Sequence, residues 1–181
     1  FYSKPYVMMT LNLMKKFVIK YDLSEDSISI NNQEYKSGSY KVESDWSAAS
    51  YWYSFISINK KLKEIKLKGL REHSFQGDQV IKKIMTLFNV ETLYDKDGII
   101  LRKKDFDCDY LELDFKDCPD LAQTVLVVAA FHKVKLKLYG VESLKIKETD
   151  RLKAMSNELK KIGVNFYDDN GVWTLDKRNN E

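Results

Sequence analysis

At 181 residues, 44% hydrophobic and 31% charged, the chain has enough apolar material for a buried core, as one domain or two small ones. Its net charge of +3 comes from scattered lysines with only Arg71, Arg102, Arg151 and Arg178 as arginines, so no arginine–aromatic surface and no nucleic acid partner is expected. No apolar run approaches a membrane span, and Cys108, Cys118, His73 and His132 lack metal-ligand spacing, so no membrane, metal or cofactor is expected, in a reducing, cytoplasmic setting.

In chain order, residues 5–30 (PYVMMTLNLMKKFVIKYDLSEDSISI) predict an amphipathic helix, a short strand, a turn and a second strand. DWSAASYWYSFISI (45–58) predicts a helix capped by Asp45 and apolar nearly all round, followed by a strand-like run at 62–70. GDQVIKKIMTLFNVETLYDKDGIIL (77–101) repeats the helix–strand–turn–strand order, with DKDG (95–98) as its hairpin turn. A strand-like run at 109–115 leads to PDLAQTVLVVAAF (119–131), a second greasy helix with Pro119 in its first turn. Both greasy helices are expected to be buried on every side.

After a strand-like run at 134–140, TDRLKAMSNELKKIGVNFYDDNGVWTL (149–175) is the third copy. Leu152, Met155, Leu159 and Ile162 form one stripe, Gly163 stops the helix, and DDNG (168–171) turns the hairpin. Val90 and Val164 are 74 residues apart, and Gly98 and Gly171 are 73 apart. That period is too long for a common solenoid and points to a duplicated α+β subdomain.

Four segments invite chemistry. LKIKETDRLKAMSNELKKIGV (144–164) reads as one helix whose Lys147 and Arg151 are like charges four apart at the dipole-positive end. It is either a charged first turn capped by Thr149 or a site whose clash an anionic ligand repairs. In DCPDLAQT (117–124), Asp117 and Asp120 are either acids favoured by the helix dipole or include a general base at the mouth of an apolar helix. In SKPYVMMT (3–10), Ser3 is either the hydroxyl cap before Pro5 or a phosphate ligand. VESDWSAASYW (42–52) reads as structural, its Ser47, Ala48, Ala49 and Ser50 permitting close packing. The cysteines and histidines read as incidental.

Together with GDQVIKKI, and in the same order, these segments resemble the motifs of the EPSP synthase family of enolpyruvyl transferases (3-phosphoshikimate 1-carboxyvinyltransferase). SKPYVMMTLNLM is similar to the family's SKPY-x-x-x-T-x-x-x-M, and VESDWSAASYW to its V-E-G-D crossover, with Ser44 where the family commonly has Gly. The resemblance implies an α+β fold of repeated βαβαββ subdomains, helices packed on mixed sheets, in two domains of three copies each. Residues 1–43 would end one domain, and residues 44–181 would form two repeat units of the other. It also implies transfer of the enolpyruvyl group of phosphoenolpyruvate to the 5-hydroxyl of shikimate 3-phosphate, releasing phosphate. These two small molecules would be its partners, and the protein would be a monomer.

Carried over position by position, the resemblance makes Asp120 the acceptor of the hydroxyl proton and gives Glu148 a part in proton transfer at the enolpyruvyl carbon. Lys147 and Ser3 would contact shikimate 3-phosphate, Tyr6 would line that site, and Ser143 stands where an Asn often contacts it. Arg151 would grip phosphoenolpyruvate. The family's N-terminal lysine–serine–arginine cluster, NGGT-like loop, SSQ segment and late DHR and lysine segments have no counterpart here. The expectation is therefore a piece covering the middle to later part of the enzyme, inactive alone for want of transition-state contacts. The alternatives are an enolpyruvyl transferase acting on another substrate, or a non-catalytic anion-binding module of the same fold.

Overall fold

The structure, a computed structural model, describes residues 4–105 and 107–176. Helix α1 (Lys4–Lys16) leads into a small antiparallel hairpin, β1 (Asp22–Leu23) and β2 (Ile28–Ser29). One unit follows, made of α2 (Trp46–Ile58), β3 (Glu64–Lys68), α3 (Ile81–Thr86), β4 (Val90–Asp95) and β5 (Gly98–Lys103). The next contains β6 (Tyr110–Asp114), α4 (Ala122–His132), β7 (Lys135–Tyr139), α5 (Arg151–Lys161), β8 (Phe166–Asp169) and β9 (Val172–Leu175). Single 3₁₀ turns at Gly77–Val80, Pro119–Leu121 and Glu142–Ile146 precede α3, α4 and α5.

The sheets show the duplication. The first has order β3-β5-β4 and is antiparallel; the second has order β6-β7-β9-β8. Only β6 and β7 run parallel, which makes the second sheet mixed. Laid on each other, β3-β5-β4 and β7-β9-β8 share one topology, and the second unit is a complete βαβαββ. Its hairpin turns on Asn170 and Gly171, both with positive φ (52° and 90°), as a two-residue primed turn requires. Gly163 likewise has φ 74°, which ends α5 where the sequence placed its stop.

α2 and α4 pack together between the two sheets. Trp46, Tyr53 and Ile56 meet a core that also holds Val125, Leu126 and Ala129, continuous with Ile99 and Leu101 of one sheet and Leu136 and Leu138 of the other. The small residues permit this approach: Ala49 and Ser50 are buried, and the Ser50 and Thr124 hydroxyls hydrogen-bond at 3.1 Å between the helices. The expectation that both helices are buried all round is wrong. Tyr51, Trp52 and Phe55 of α2 are 70%, 50% and 51% exposed, and Val127 and Phe131 of α4 are 44% and 48% exposed. Each helix has the other and the sheets on one side; its remaining face meets nothing among the described residues. Composition alone cannot report which side lacks a neighbour.

The link into α2 is fixed by one carboxylate. Glu43 accepts hydrogen bonds from Trp46 Nε1 (2.9 Å), Arg71 N (2.7 Å), Gln76 Nε2 (3.2 Å) and the Ser74 hydroxyl. Ser44 N donates to Gly69 O at 3.0 Å, and a Cβ on Gly69 (φ 82°) would lie 2.2 Å from Ser44 Oγ. The serine side chain occupies the space that this glycine leaves.

Candidate functional site

Five helix starts converge. Tyr6 lies in the first turn of α1, Ser47 in that of α2, and Arg151 opens α5. Asp78 and Asp120 stand on the 3₁₀ turns that lead into α3 and α4. The close approach at Gly77 explains how α1 reaches the others: a Cβ there would sit 2.5 Å from Pro5 Cβ and 3.7 Å from the Asp117 carbonyl oxygen. Unpaired N–H groups and the positive ends of helix dipoles make such a place favourable for anions, whether side-chain carboxylates or ligands.

Asp120 is the centre. Its Oδ1 accepts from Arg151 NH1 at 2.9 Å and lies 3.4 Å from Lys147 Nζ, while Tyr6 OH donates to Oδ2 at 3.2 Å. Arg151 also reaches Gln123 Oε1 (3.4 Å) with NH1 and Glu148 Oε2 (2.8 Å) with NH2. One guanidinium therefore bridges both carboxylates expected to move protons. The side chains of Asp120, Arg151 and Lys147 are 25%, 24% and 31% exposed, whereas that of Glu148 is 80% exposed.

This geometry corrects the reading of residues 144–164 as one helix. The chain makes a 3₁₀ turn at Glu142–Ile146, passes through extended backbone at Lys147 (φ −79°, ψ −165°), and starts α5 only at Arg151. The cap is Asp150, whose Oδ1 accepts from Lys153 N at 3.0 Å, and not Thr149. An anionic cap is the better partner for the positive helix end. Lys147 and Arg151 are thus not helical neighbours that repel; the bend lets them approach one carboxylate from two sides.

The charges leave their mark on proton affinities. Burial and the carboxylates of Asp78, Asp120 and Asp45 push the Tyr6 phenol up to about 12, so it stays a donor. Glu148 is held below the usual carboxylate range by its own backbone N–H and by Arg151. Burial raises Asp78, opposed by the hydrogen bond from Ser47 Oγ (2.5 Å). Cys118, buried and facing Asp78 and Asp117, is pushed up to about 12 and is an inert thiol.

Of the residues singled out in sequence, Tyr6, Asp120, Lys147, Glu148 and Arg151 come together. Ser143 sits on the 3₁₀ turn four residues before Lys147 and takes no part in the hydrogen bonds at Asp120. Ser3 lies outside the described residues. Sequence reasoning gave Asp45 and Ser47 structural roles only, as a helix cap and a close-packing residue, and passed over Asp78. The signal for Asp78 was present in GDQ, an acid at a helix start within an apolar run, but nothing in the sequence told it from an ordinary first-turn acid. A cavity of about 510 Å³ opens beside the cluster, lined by Tyr6, Tyr40, Phe75, Asp45, Ser47 and Asp78 among others. The described residues hold no group of three or more His, Cys, Asp or Glu able to bind a metal, and no helix long and apolar enough to cross a membrane.

Comparison with known proteins bears on this site. Residues 1–177 match the family described as EPSP synthase (3-phosphoshikimate 1-carboxyvinyltransferase). A 3-phosphoshikimate 1-carboxyvinyltransferase of Bacteroides fragilis is 42% identical over 169 residues, covering 93% of this chain and 41% of its own length. One from Methanocaldococcus jannaschii is 36% identical over 166 residues, covering 91% and 38%. The chain thus spans about two fifths of the length of the curated relatives it matches. The solved EPSP synthase of Acinetobacter baumannii shares the fold, with a TM-score of 0.73 at 17% identity over 94% of this chain and 40% of that one. With five motifs in order, a duplicated αβαββ arrangement completed to βαβαββ in the second unit, and a match along nearly its whole length, the chain belongs to the EPSP synthase family.

Proposed function

We propose that this chain carries one wall of an active site that transfers the enolpyruvyl group of phosphoenolpyruvate to the 5-hydroxyl of shikimate 3-phosphate, releasing phosphate. The observation that carries this is the three-way hold on Asp120 by Tyr6, Lys147 and Arg151. Two cations and five helix starts suit two polyanionic substrates, and two carboxylates of different exposure suit a reaction that moves protons at two places. Residues 1–43 would close one domain and residues 44–181 would supply two repeat units of the other. The exposed ridges of α2 and α4 supply an apolar face on which further chain of the longer protein can pack.

The contacts also order the events. While Lys147 and Arg151 hold Asp120, its Oδ1 is occupied by the two cations and its Oδ2 by the Tyr6 hydroxyl. Substrate phosphate and carboxylate groups compete for the same cations. As Lys147 turns to shikimate 3-phosphate and Arg151 to phosphoenolpyruvate, Asp120 is released to take the hydroxyl proton. Arg151 releases Glu148 in the same movement, so neither carboxylate is freed before the anionic substrate arrives. Addition of the 5-oxygen to the central carbon of phosphoenolpyruvate, with a proton added to its methylene carbon, yields a tetrahedral adduct; loss of a proton from that carbon and of phosphate then forms the enol ether.

Isothermal titration calorimetry with shikimate 3-phosphate tests the assignment. Binding that weakens at least about tenfold in Lys147→Ala supports it, since a charge-assisted contact contributes roughly 1.5 kcal/mol or more. Binding that is unchanged in that variant removes Lys147 from the site. A full-length protein that turns over neither substrate overturns the enolpyruvyl-transfer reading.

A further inference from the structure

The cations around the first sheet fall into two groups. Lys66 pairs with Asp95, Arg102 with Glu64 (3.1 Å) and Lys104 with Glu91 (3.1 Å). Lys103 Nζ donates to the carbonyl oxygens of Ser57 (2.7 Å) and Asn59 (3.0 Å) at the end of α2. Where the sheet meets the link into α2, this matching stops. Lys41 in that link, Lys68 at the end of β3, Arg71 just beyond it and Lys96 in the β4–β5 turn have no carboxylate within ion-pair distance among the described residues. All four line one cavity of about 470 Å³, a size that suits a small molecule. Ser44 adds a hydroxyl to its wall, and Asp97 is the acid on that wall. None of the residues gathered at Asp120 lines it.

Solvated lysines at turns are ordinary, and any one of these would carry no argument. Two features set the group apart. The first is arrangement: three separate segments of chain bring cations to one concavity, where like charges add to a positive potential that attracts anions. The second is that Arg71 is held in place and half-buried. Its backbone N donates to Glu43 Oε1 at 2.7 Å, its NH2 donates to the Lys41 carbonyl oxygen, and its guanidinium lies 5.7 Å from the Tyr40 ring centre. A guanidinium carries five N–H donors, so most of its fork is free for another acceptor. Because the fork is already ordered, less freedom is lost when a ligand arrives. A carboxylate presents two oxygens in one plane. A terminal phosphate group presents three around a tetrahedron, which suits donors supplied by three segments.

We propose that this cavity is a further anion site, which holds a small molecule bearing phosphate groups between Lys41, Lys68, Arg71 and Lys96. A ligand seated there ties the link before α2 to the sheet. The site stands apart from the enolpyruvyl-transfer reading and does not need it.

Pyrophosphate is the probe, titrated into the parent 181-residue chain at constant ionic strength and followed by amide proton–nitrogen NMR. Each amide reports separately, so the Asp120 cluster need not be altered. The amides of Ser44, Gly69, Lys96 and Gly98 should shift saturably, with a Kd below about 1 mM. Lys68→Gln combined with Lys96→Gln should weaken that binding at least about tenfold. The melting temperature should not fall, since neither ammonium makes an ion pair among the described residues. Unchanged affinity in that variant, or shifts that chloride reproduces, would overturn the proposal. Citrate, a polyanion built of carboxylates, should bind at least about fivefold more weakly than pyrophosphate; equal affinity overturns the phosphate assignment. Calorimetry repeats the comparison of parent and double variant in the full-length protein. If the two bind pyrophosphate equally there, further chain fills the cavity, and the proposal is overturned as well.

Discussion

Replacing Asp120 by Asn separates two roles that the structure gives its carboxylate. In the unliganded chain it neutralises Lys147 at 3.4 Å and Arg151 at 2.9 Å, all three side chains being between 24% and 31% exposed. Coulomb energy at these distances is several kcal/mol for an effective dielectric near 20, but measured values for partly exposed pairs are about 0.2–1 kcal/mol. Taking about 1 kcal/mol for each pair, Asp120→Asn should destabilise the free chain by roughly 1–2 kcal/mol. The same change uncovers both cations. An anion that previously had to displace the carboxylate from one of them gains about 1 kcal/mol, or close to fivefold in affinity. Calorimetric titration of phosphoenolpyruvate into both proteins, with urea unfolding of each, reads the two effects together. The expected result is a less stable protein that binds the anion more tightly. Weaker binding of phosphoenolpyruvate to Asp120→Asn would refute the idea that carboxylate and substrate compete for the same cations.

His132 gives a pH test. Burial and nearby Lys103 hold its proton affinity below the ordinary value of 6.5, so the unfolded chain binds the proton first as pH falls. Its contribution to stability is therefore complete above about pH 6.5 and declines on acidification towards the folded value, and the melting temperature of His132→Gln should decline less over that window. Gly98→Ala would set a Cβ 2.0 Å from the Leu67 carbonyl oxygen in the neighbouring strand, and a loss of about 2–4 kcal/mol in urea unfolding is expected; parental stability would contradict the strand spacing. Tyr6→Phe removes the donor to Asp120 at a side chain that is 43% exposed, so stability should change by less than about 1 kcal/mol while shikimate 3-phosphate binds about three- to tenfold more weakly.

Much of the fold was legible because its signals are local. Alternating residues in KLKLY, the Asn-Gly turn, Gly163 after an amphipathic stripe and Asp45 before a greasy run each fix backbone conformation within a few residues. The motif resemblance then named Asp120, Lys147, Glu148, Arg151 and Tyr6, and the fold brings them together. What stayed hidden depended on distant chain. The charged stretch at 147–151 holds no glycine or proline, so the bend at Lys147 could not be told from a polar helical turn; Lys147 pairs with Asp120, 27 residues earlier. The exposed face of α2 was misread because Tyr51, Trp52 and Phe55 are as apolar as the buried Tyr53 and Ile56. Asp78 escaped notice because its meaning lies in Ser47, 31 residues away.

The repeat itself explains why a site forms here. Each unit packs its helices on the sheet in the same orientation, so corresponding helix starts point to the same end of the core. With α2 and α4 in contact, the starts of α2, α3, α4 and α5 become neighbours, and α1 joins them where Pro5 meets Gly77. Five positive helix ends at one place would repel each other without compensation. Asp45, Asp78, Asp120 and Asp150 are all placed at helix starts, so the fold neutralises itself with carboxylates before any ligand arrives. Of these, Asp45 and Asp150 are spent on capping N–H groups, and Asp78 accepts from the Ser47 hydroxyl. Among the described residues, Asp120 alone of the four is gripped by two cations, Lys147 and Arg151, that an incoming anion can draw away. That difference, rather than the presence of an acid at a helix mouth, sets the proposed proton acceptor apart from the other three carboxylates.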